Sequence, residues 1–288
     1  MRNSRQLPHF ALLLALAACA GVGAPPSPVP SQEVQVGPPA GTLVVVGGGT
    51  LGPEIIRRFV DAAGGPQARI VVIPTAGEQD TFPADWSGLR QFRNAGVKHI
   101  TVLHTRDPKV ADTDGFVQPL RNATGVWFPG GRQWRLVDAY LNTRTLNELH
   151  SLLQRGGVIG GTSAGASIQA SYMVRGAREG NTLMMAPGYE QGFAFLRAAA
   201  VDQHLSARSR QRDMLEVVAR FPNLLGIGLD ESTAIVVRGD TAEIIGKDRV
   251  AFYNADPQNR TGFFWLKPGD RFELHRRVVL RGTPVNGN

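Results

Sequence analysis

The sequence predicts an α/β fold built on a mostly parallel sheet. Three observations lead there. Short β-branched runs that are apolar almost throughout recur along residues 42–161, as in strands buried on both faces. Amphipathic helical patterns separate them. The runs end in glycine or polar residues, at the strand ends where open α/β sheets bind ligands.

The elements follow in order. TLVVVGGG (residues 42–49) is a strand running into a glycine turn, and PEIIRRFVDAAG opens a helix with Pro53 at its first turn. RIVVIPT (69–75) is the second strand, 89–95 a helix and 99–104 the third strand. GVWFPGG (125–131) is the fourth strand, followed by helices over 133–141 and 146–155. GVIGG (157–161) is the fifth, and GASIQASYM after it reads as a helix. AAAVDQH is an apolar run ending in polar groups, and a helix is expected to carry the following LSARSRQRDML. From Gly226, GIGLDESTAIVVRGDTAEIIG and RVAFYN are short strands with polar turns. They either close the sheet edge or form a small appended sheet. FFWLKPGDRFELH is a hairpin around Pro268-Gly269-Asp270.

The 288 residues are 42% hydrophobic and 19% charged, which excludes a disordered or collagen-like chain. Lys+Arg 31 against Asp+Glu 24 gives +7, with no basic arm, so no nucleic-acid partner is expected. The first 18 residues read as a signal peptide: Arg2 and Arg5, then FALLLALAA, too short to span a bilayer. Leu16-Ala17-Ala18-Cys19 looks like a bacterial lipobox, and Cys19 is the only cysteine of the chain. Lipidation there anchors an exported protein at a periplasmic or cell-surface membrane. The plainer reading is cleavage near Ala18 or Ala24 and a secreted protein. A lone cysteine permits neither an intramolecular disulfide nor a Cys-based metal site. Residues 19–40 then form the lipidated cysteine and a Pro/Gly-rich tether, and 41–288 the catalytic domain.

The chemistry centres on Gly161-Thr162-Ser163-Ala164-Gly165, a G-x-S-x-G between an apolar strand and a helix. Small neighbours allow the strained backbone that exposes a nucleophilic serine. Of the histidines beyond the leader, His99, His104, His150, His204 and His275, position favours His204 as base. Glu231, beside Asp230 at the end of another apolar run, is a candidate to orient it. The order Ser, His, Glu differs from that of α/β-hydrolases. The N–H of Ala164 offers one oxyanion donor, and Gly131 or Arg132 the second. Gly47 to Gly49 are not followed by the G-K-[ST] of a phosphate loop. Arg208, Arg210 and Arg212, beside the base, read either as a solvated helix face or as a clamp for substrate carboxylates.

These residues resemble the cyanophycinase family of serine peptidases, which includes the aspartyl dipeptidase (peptidase E) branch. The matching pieces are VVGGG (45–49), WFPGGRQ (127–133), GTSAGA (161–166), DQH with the following arginines (202–210) and GIGLDEST (226–233), within residues 42–245. The resemblance implies a flavodoxin-like three-layer sandwich related to class I glutamine amidotransferases, commonly a homodimer. It implies Ser163 as nucleophile, His204 as base and Glu231 as its orienting acid. Gln133, Asp202, Gln203, Arg208 and Arg210 would line the substrate pocket, with Asp202 suited to a substrate arginine. The implied reaction is exopeptidase release of β-Asp-Arg from cyanophycin (multi-L-arginyl-poly-L-aspartate), with no metal or organic cofactor needed. One position departs: Asp213 stands where the family carries a third arginine, and Arg212 lies one residue early, about 100° away on a helix. The alternatives are a peptidase E-like dipeptidase acting on Asp-X or β-aspartyl peptides, and a non-catalytic anchored binding lipoprotein.

Overall fold

A computed structural model describes residues 35–255 and 262–287, together with Met1. Residues 2–34, on which the signal-peptide and Cys19 lipidation readings and most of the tether reading fall, lie outside the described residues.

In chain order the first half reads β1 (Thr42–Val46), α1 (Pro53–Ala62), β2 (Arg69–Val72), α2 (Arg90–Asn94), β3 (His99–Val102), α3 (Pro108–Ala111), α4 (Asp114–Arg121), β4 (Gly125–Phe128), α5 (Gln133–Tyr140), α6 (Arg144–Gln154) and β5 (Val158–Thr162). The second half reads α7 (Ala164–Ser167), β6 (Ala170–Tyr172), β7 (Leu196–Gln203), α8 (Met214–Arg220), β8 (Leu225–Leu229), β9 (Thr233–Arg238), β10 (Thr241–Gly246), β11 (Val250–Tyr253), β12 (Phe263–Leu266), β13 (Arg271–Glu273), β14 (Val278–Arg281) and β15 (Val285–Asn286).

The larger sheet has the order β14-β13-β10-β9-β1-β5-β4-β2-β3. From β1 to β3 its strands are parallel, and β9 starts an antiparallel flank that extends the sheet beyond β1. A second sheet runs β15-β12-β11-β8-β7-β6. The short strands after Gly226 therefore do both things the sequence allowed: some extend the main sheet and others build the second one.

Alternation along the strands sorts side chains between two cores. Val44, Val46, Val72 and Trp127 face Ile55, Ile56 and Phe59 of α1 and Phe92 of α2. Leu43, Val45, Val71 and Ile159 face α5 and α6 through Leu136, Leu149 and Leu152, and the second sheet through Val201, Ile227 and Phe252. Met214, Val217 and Val218 of α8 cover the far side of that second sheet. The flavodoxin-like sandwich thus holds, with a sheet replacing part of one helical layer.

Three local expectations change. GASIQASYM is a helix only over Ala164–Ser167 and pairs as β6 from Ala170, because tertiary pairing with β7 outweighs local propensity. The segment after His204 is a 3-10 turn, Ser206–Arg208, and helix resumes only at Met214. The domain begins before residue 41. Val36 is buried, and the N–H groups of Val36 and Gly37 both donate to Asp240 Oδ1 at 2.8 Å. The Val36 carbonyl accepts the Arg197 N–H at 2.7 Å.

Trp127 is fully buried against Phe59 and Phe92, at ring separations of 5.0 and 5.7 Å. Trp127→Ala is expected to destabilise the fold by about 3–5 kcal/mol in urea denaturation. Trp127→Phe should cost far less, since the buried indole N–H has no acceptor to lose.

Candidate active site

Three strand ends meet on the glycine turn that follows β1. The Ser163 N–H, just past β5, donates to the Val46 carbonyl at 3.1 Å. The His204 N–H, just past β7, donates to Gly47 at 2.9 Å. The Ser232 N–H, next to Glu231, donates to Gly48 at 2.9 Å. Three consecutive carbonyls therefore set the spacing of three residues distant in sequence.

Side chains are excluded from this turn. A Cβ on Gly48 would stand 2.2 Å from His204 Cε1, and one on Gly49 2.8 Å from the Glu231 carboxylate. Both glycines have positive φ, +102° and +69°. The serine turn is equally tight: Ser163 has φ 56° and ψ −116°. A Cβ on Gly161 would meet the Gly165 carbonyl at 2.2 Å, and one on Gly165 the Phe128 carbonyl at 2.0 Å. The spacing of small residues around Ser163 thus has a steric cause.

His204 Nε2 lies 2.9 Å from Ser163 Oγ, and Nδ1 lies 2.5 Å from Glu231 Oε1. An ionised carboxylate only accepts, so Nδ1 carries the proton and Nε2 is left to accept from the serine hydroxyl. Burial pushes the imidazole below its ordinary value of 6.5; the Glu231 hydrogen bond opposes this, and the Arg208 and Arg210 charges add to it. The ring is therefore neutral near pH 7, as a proton acceptor must be.

The β4 turn reaches the serine from the other side, where a Cβ on Gly130 would lie 3.3 Å from Ser163 Cβ. Of the two alternatives for the second oxyanion donor, Arg132 is occupied, its N–H bonding the Ala76 carbonyl at 2.8 Å. The N–H groups of Gly131 and Ala164 have no backbone acceptor among the described residues. With α7 only four residues long, any stabilisation here comes from individual N–H groups, not a long aligned dipole.

The residues expected in the substrate pocket divide into two groups. Asp202 is fully buried and both its oxygens bind Arg175, Oδ1 to Nε and Oδ2 to Nη2, each at 2.8 Å. This corrects the expectation that Asp202 meets a substrate arginine: its charge is spent inside the protein. Gln133 is buried, and its Nε2 donates to the carbonyls of Val174 and Arg175 at 2.9 and 2.8 Å. Gln203 is buried too, with an unpartnered Oε1. Arg208 is exposed; Arg210 is buried, its Nη1 donating to the Gln203 carbonyl at 3.3 Å. Burial, and then the nearby Arg175 charge, push Arg210 down to about 10.

Arg175 carries no signal in the sequence. Its partners Asp202 and Asp213 lie 27 and 38 residues away and form no local pattern with it. Asp213 Oδ2 sits 2.7 Å from Arg175 Nη2, which gives the acidic residue at this position a structural role. It precedes α8 rather than lying inside a helix, so the helical rotation expected between residues 212 and 213 does not apply. The other candidate bases have different surroundings: His104 Nδ1, for instance, lies 2.8 Å from Thr75 Oγ1.

The model of peptidase family S51 matches residues 43–245. The chain belongs to peptidase family S51. It resembles the cyanophycinase of Geminocystis herdmanii, 30% identical over 240 residues that cover 81% of this chain and 88% of that protein. It also resembles the cyanophycinase of a Nostoc species, 29% identical over 275 residues, 87% of this chain and 91% of the relative. Among solved structures it is similar to a peptidase from an acI-B1 actinobacterium, with TM-score 0.65 and 23% identity over 81% of this chain and 97% of that one. A putative peptidase E from Listeria monocytogenes shares the fold at TM-score 0.52 and 17% identity, covering 72% and 98% of the two chains. This is a serine-type peptidase of the cyanophycinase or peptidase E type.

Gly48→Ala is expected to lower kcat/KM by about 100-fold or more, because the added methyl displaces the His204 imidazole, and a shift of about 1 Å in a group that takes part in the reaction can cost that much. Circular dichroism checks that the protein still folds. The acid limb of the kcat/KM profile should lie below pH 6.5, since the buried imidazole stays neutral to lower pH than a free one. A limb above pH 7 would contradict the electrostatics of this site.

Proposed function

We propose that this peptidase works by acyl transfer to Ser163, with His204 as general base and Glu231 orienting it. The observation that carries this reading is the single imidazole held between Ser163 Oγ and the Glu231 carboxylate. Ser163 Oγ attacks the peptide carbonyl while Nε2 takes its proton and then passes it to the leaving amine. Glu231 stabilises the charged ring through Nδ1. The N–H groups of Ala164 and Gly131 donate hydrogen bonds to the developing oxyanion. Water then hydrolyses the acyl-enzyme by the same proton route.

The substrate we favour is cyanophycin, with release of β-Asp-Arg from a chain end. Similarity to two cyanophycinases supports it, together with Arg208 and Arg210 beside the base. One observation favours a second reading, a dipeptidase acting on Asp-X or β-aspartyl peptides. With Asp202 and Asp213 both spent on Arg175, less negative charge is left to receive a substrate arginine. For location, the Cys19 lipobox supports export and a lipid anchor, with residues from 20 onward as the tether.

The test is residues 35–288 with purified cyanophycin, beside Ser163→Ala, with dipeptide release read by mass spectrometry. Wild type should release β-Asp-Arg, and the variant should be slower by about 10⁴-fold or more. Hydrolysis of β-aspartyl dipeptides with no attack on polymer would select the second reading. Separately, the full chain should incorporate labelled palmitate and sediment with membranes, and Cys19→Ser should do neither.

A further inference from the structure

Arg208 and Arg210 meet at one neutral oxygen. With its side-chain amide turned to face them, Asn181 Oδ1 lies 3.0 Å from Arg208 Nη1 and 3.3 Å from Arg210 Nη2. The opposite orientation would set an NH₂ against two donors. Asn181 is itself held from behind: its backbone carbonyl accepts from Arg175 Nη1 at 2.9 Å and from Arg210 Nη2 at 3.4 Å. Arg175 is in turn fixed by Asp202 and Asp213 and is almost wholly buried. The loop after β6 therefore hangs on one neutralised arginine and presents one amide oxygen to two others.

Those two lack what Arg175 has. Among the described ion pairs, no carboxylate partners Arg208 or Arg210, although Arg210 is only 6% exposed. Buried charges are normally paired. Arg210 feels the like charges of Arg175 and Arg208, and the two carboxylates near it, Asp202 and Asp213, are already bonded to Arg175; burial also disfavours its protonated form. The backbone N–H of Arg208 bonds the His204 carbonyl at 3.0 Å, so the two cations sit within a turn of the base. The arrangement is short of one anion, next to the reacting atoms.

We propose that Asn181 is a positioning residue that gathers Arg208 and Arg210 into a two-guanidinium clamp for a substrate carboxylate. This deepens the peptidase reading and rests on it for the pocket's use. An uncharged oxygen aligns the guanidiniums and leaves their charge for the ligand. An aspartate there would be the missing anion itself and would occupy the clamp permanently. An aliphatic side chain would leave two cations with nothing between them.

The test is equilibrium binding to the Ser163→Ala protein, which cannot turn over. The probes are β-Asp-Arg and the same dipeptide with both carboxyls converted to amides. Ser163→Ala should bind the free dipeptide at least tenfold more tightly than the diamide. Adding Asn181→Asp should abolish that preference while the melting temperature stays or rises, because the new carboxylate pairs with both arginines. A purely structural role predicts that the preference is kept whatever the change in melting temperature, and that result would overturn the proposal. So would the absence of any preference in Ser163→Ala itself. If Asn181→Asp fails to fold, Asn181→Leu decides: it should weaken dipeptide binding about tenfold and leave the diamide unchanged, and equal effects on both would sink the clamp. Cyanophycin hydrolysis by the unmutated chain reads out separately. Turnover without carboxylate preference removes the clamp alone, and preference without turnover removes the substrate assignment alone.

Discussion

The whole candidate active site depends on the backbone of Val46, Gly47 and Gly48. Their carbonyls accept, in order, the N–H groups of Ser163, His204 and Ser232. The Gly47 N–H also donates to the Thr233 carbonyl at 2.9 Å, so the turn is tied to β9 as well. Backbone hydrogen bonds are short-ranged and directional, so a common acceptor strand sets the serine, imidazole and carboxylate in register without their side chains having to find one another. The side chains then close the gap, and glycine at 48 and 49 leaves room for the ring and the carboxylate.

A second constraint is charge. Arg175, Arg208 and Arg210 all meet Asn181, and among the described ion pairs carboxylates partner the first alone. Neutralising Arg175 turns a cation into a brace between β7, the loop after β6 and the start of α8. Leaving Arg210 without such a partner keeps a charge in a poorly solvated place, where its attraction for an anion is stronger than in water. On the proposed reading, structure and recognition are thus divided between neighbouring arginines of the same chemical type.

Much of this was legible in the sequence, for a physical reason. Buried parallel strands must be apolar throughout, and their ends must turn tightly, so VVGGG, WFPGG and GTSAGA mark the strand ends around Ser163. The Ser163, His204 and Glu231 positions lie where apolar runs stop. What was not legible depends on contacts between distant segments. The sequence does not reveal that Arg175 claims Asp202, that Asp213 completes that pair, or that Asn181 stands between two arginines. Local pattern also misled where tertiary pairing prevailed, as at β6, and where a 3-10 turn replaced helix after His204. The anchoring of Val36 and Gly37 is not legible either, because a Pro/Gly-rich composition says nothing of the Asp240 carboxylate that receives their N–H groups.

That last contact decides how the molecule can be handled. Val36 meets the beginning of β7, whereas His204 follows its end, and β7 is eight residues long. At 3.2–3.4 Å per residue, about 25 Å of strand separates the chain's point of entry from the imidazole. A purification tag, a fusion partner or a bead coupled ahead of residue 35 joins the domain at the end of the sheet away from the serine. For immobilisation on a column or sensor chip, the amino-terminal route attaches at the base of the domain and leaves the end that carries Ser163 and His204 free.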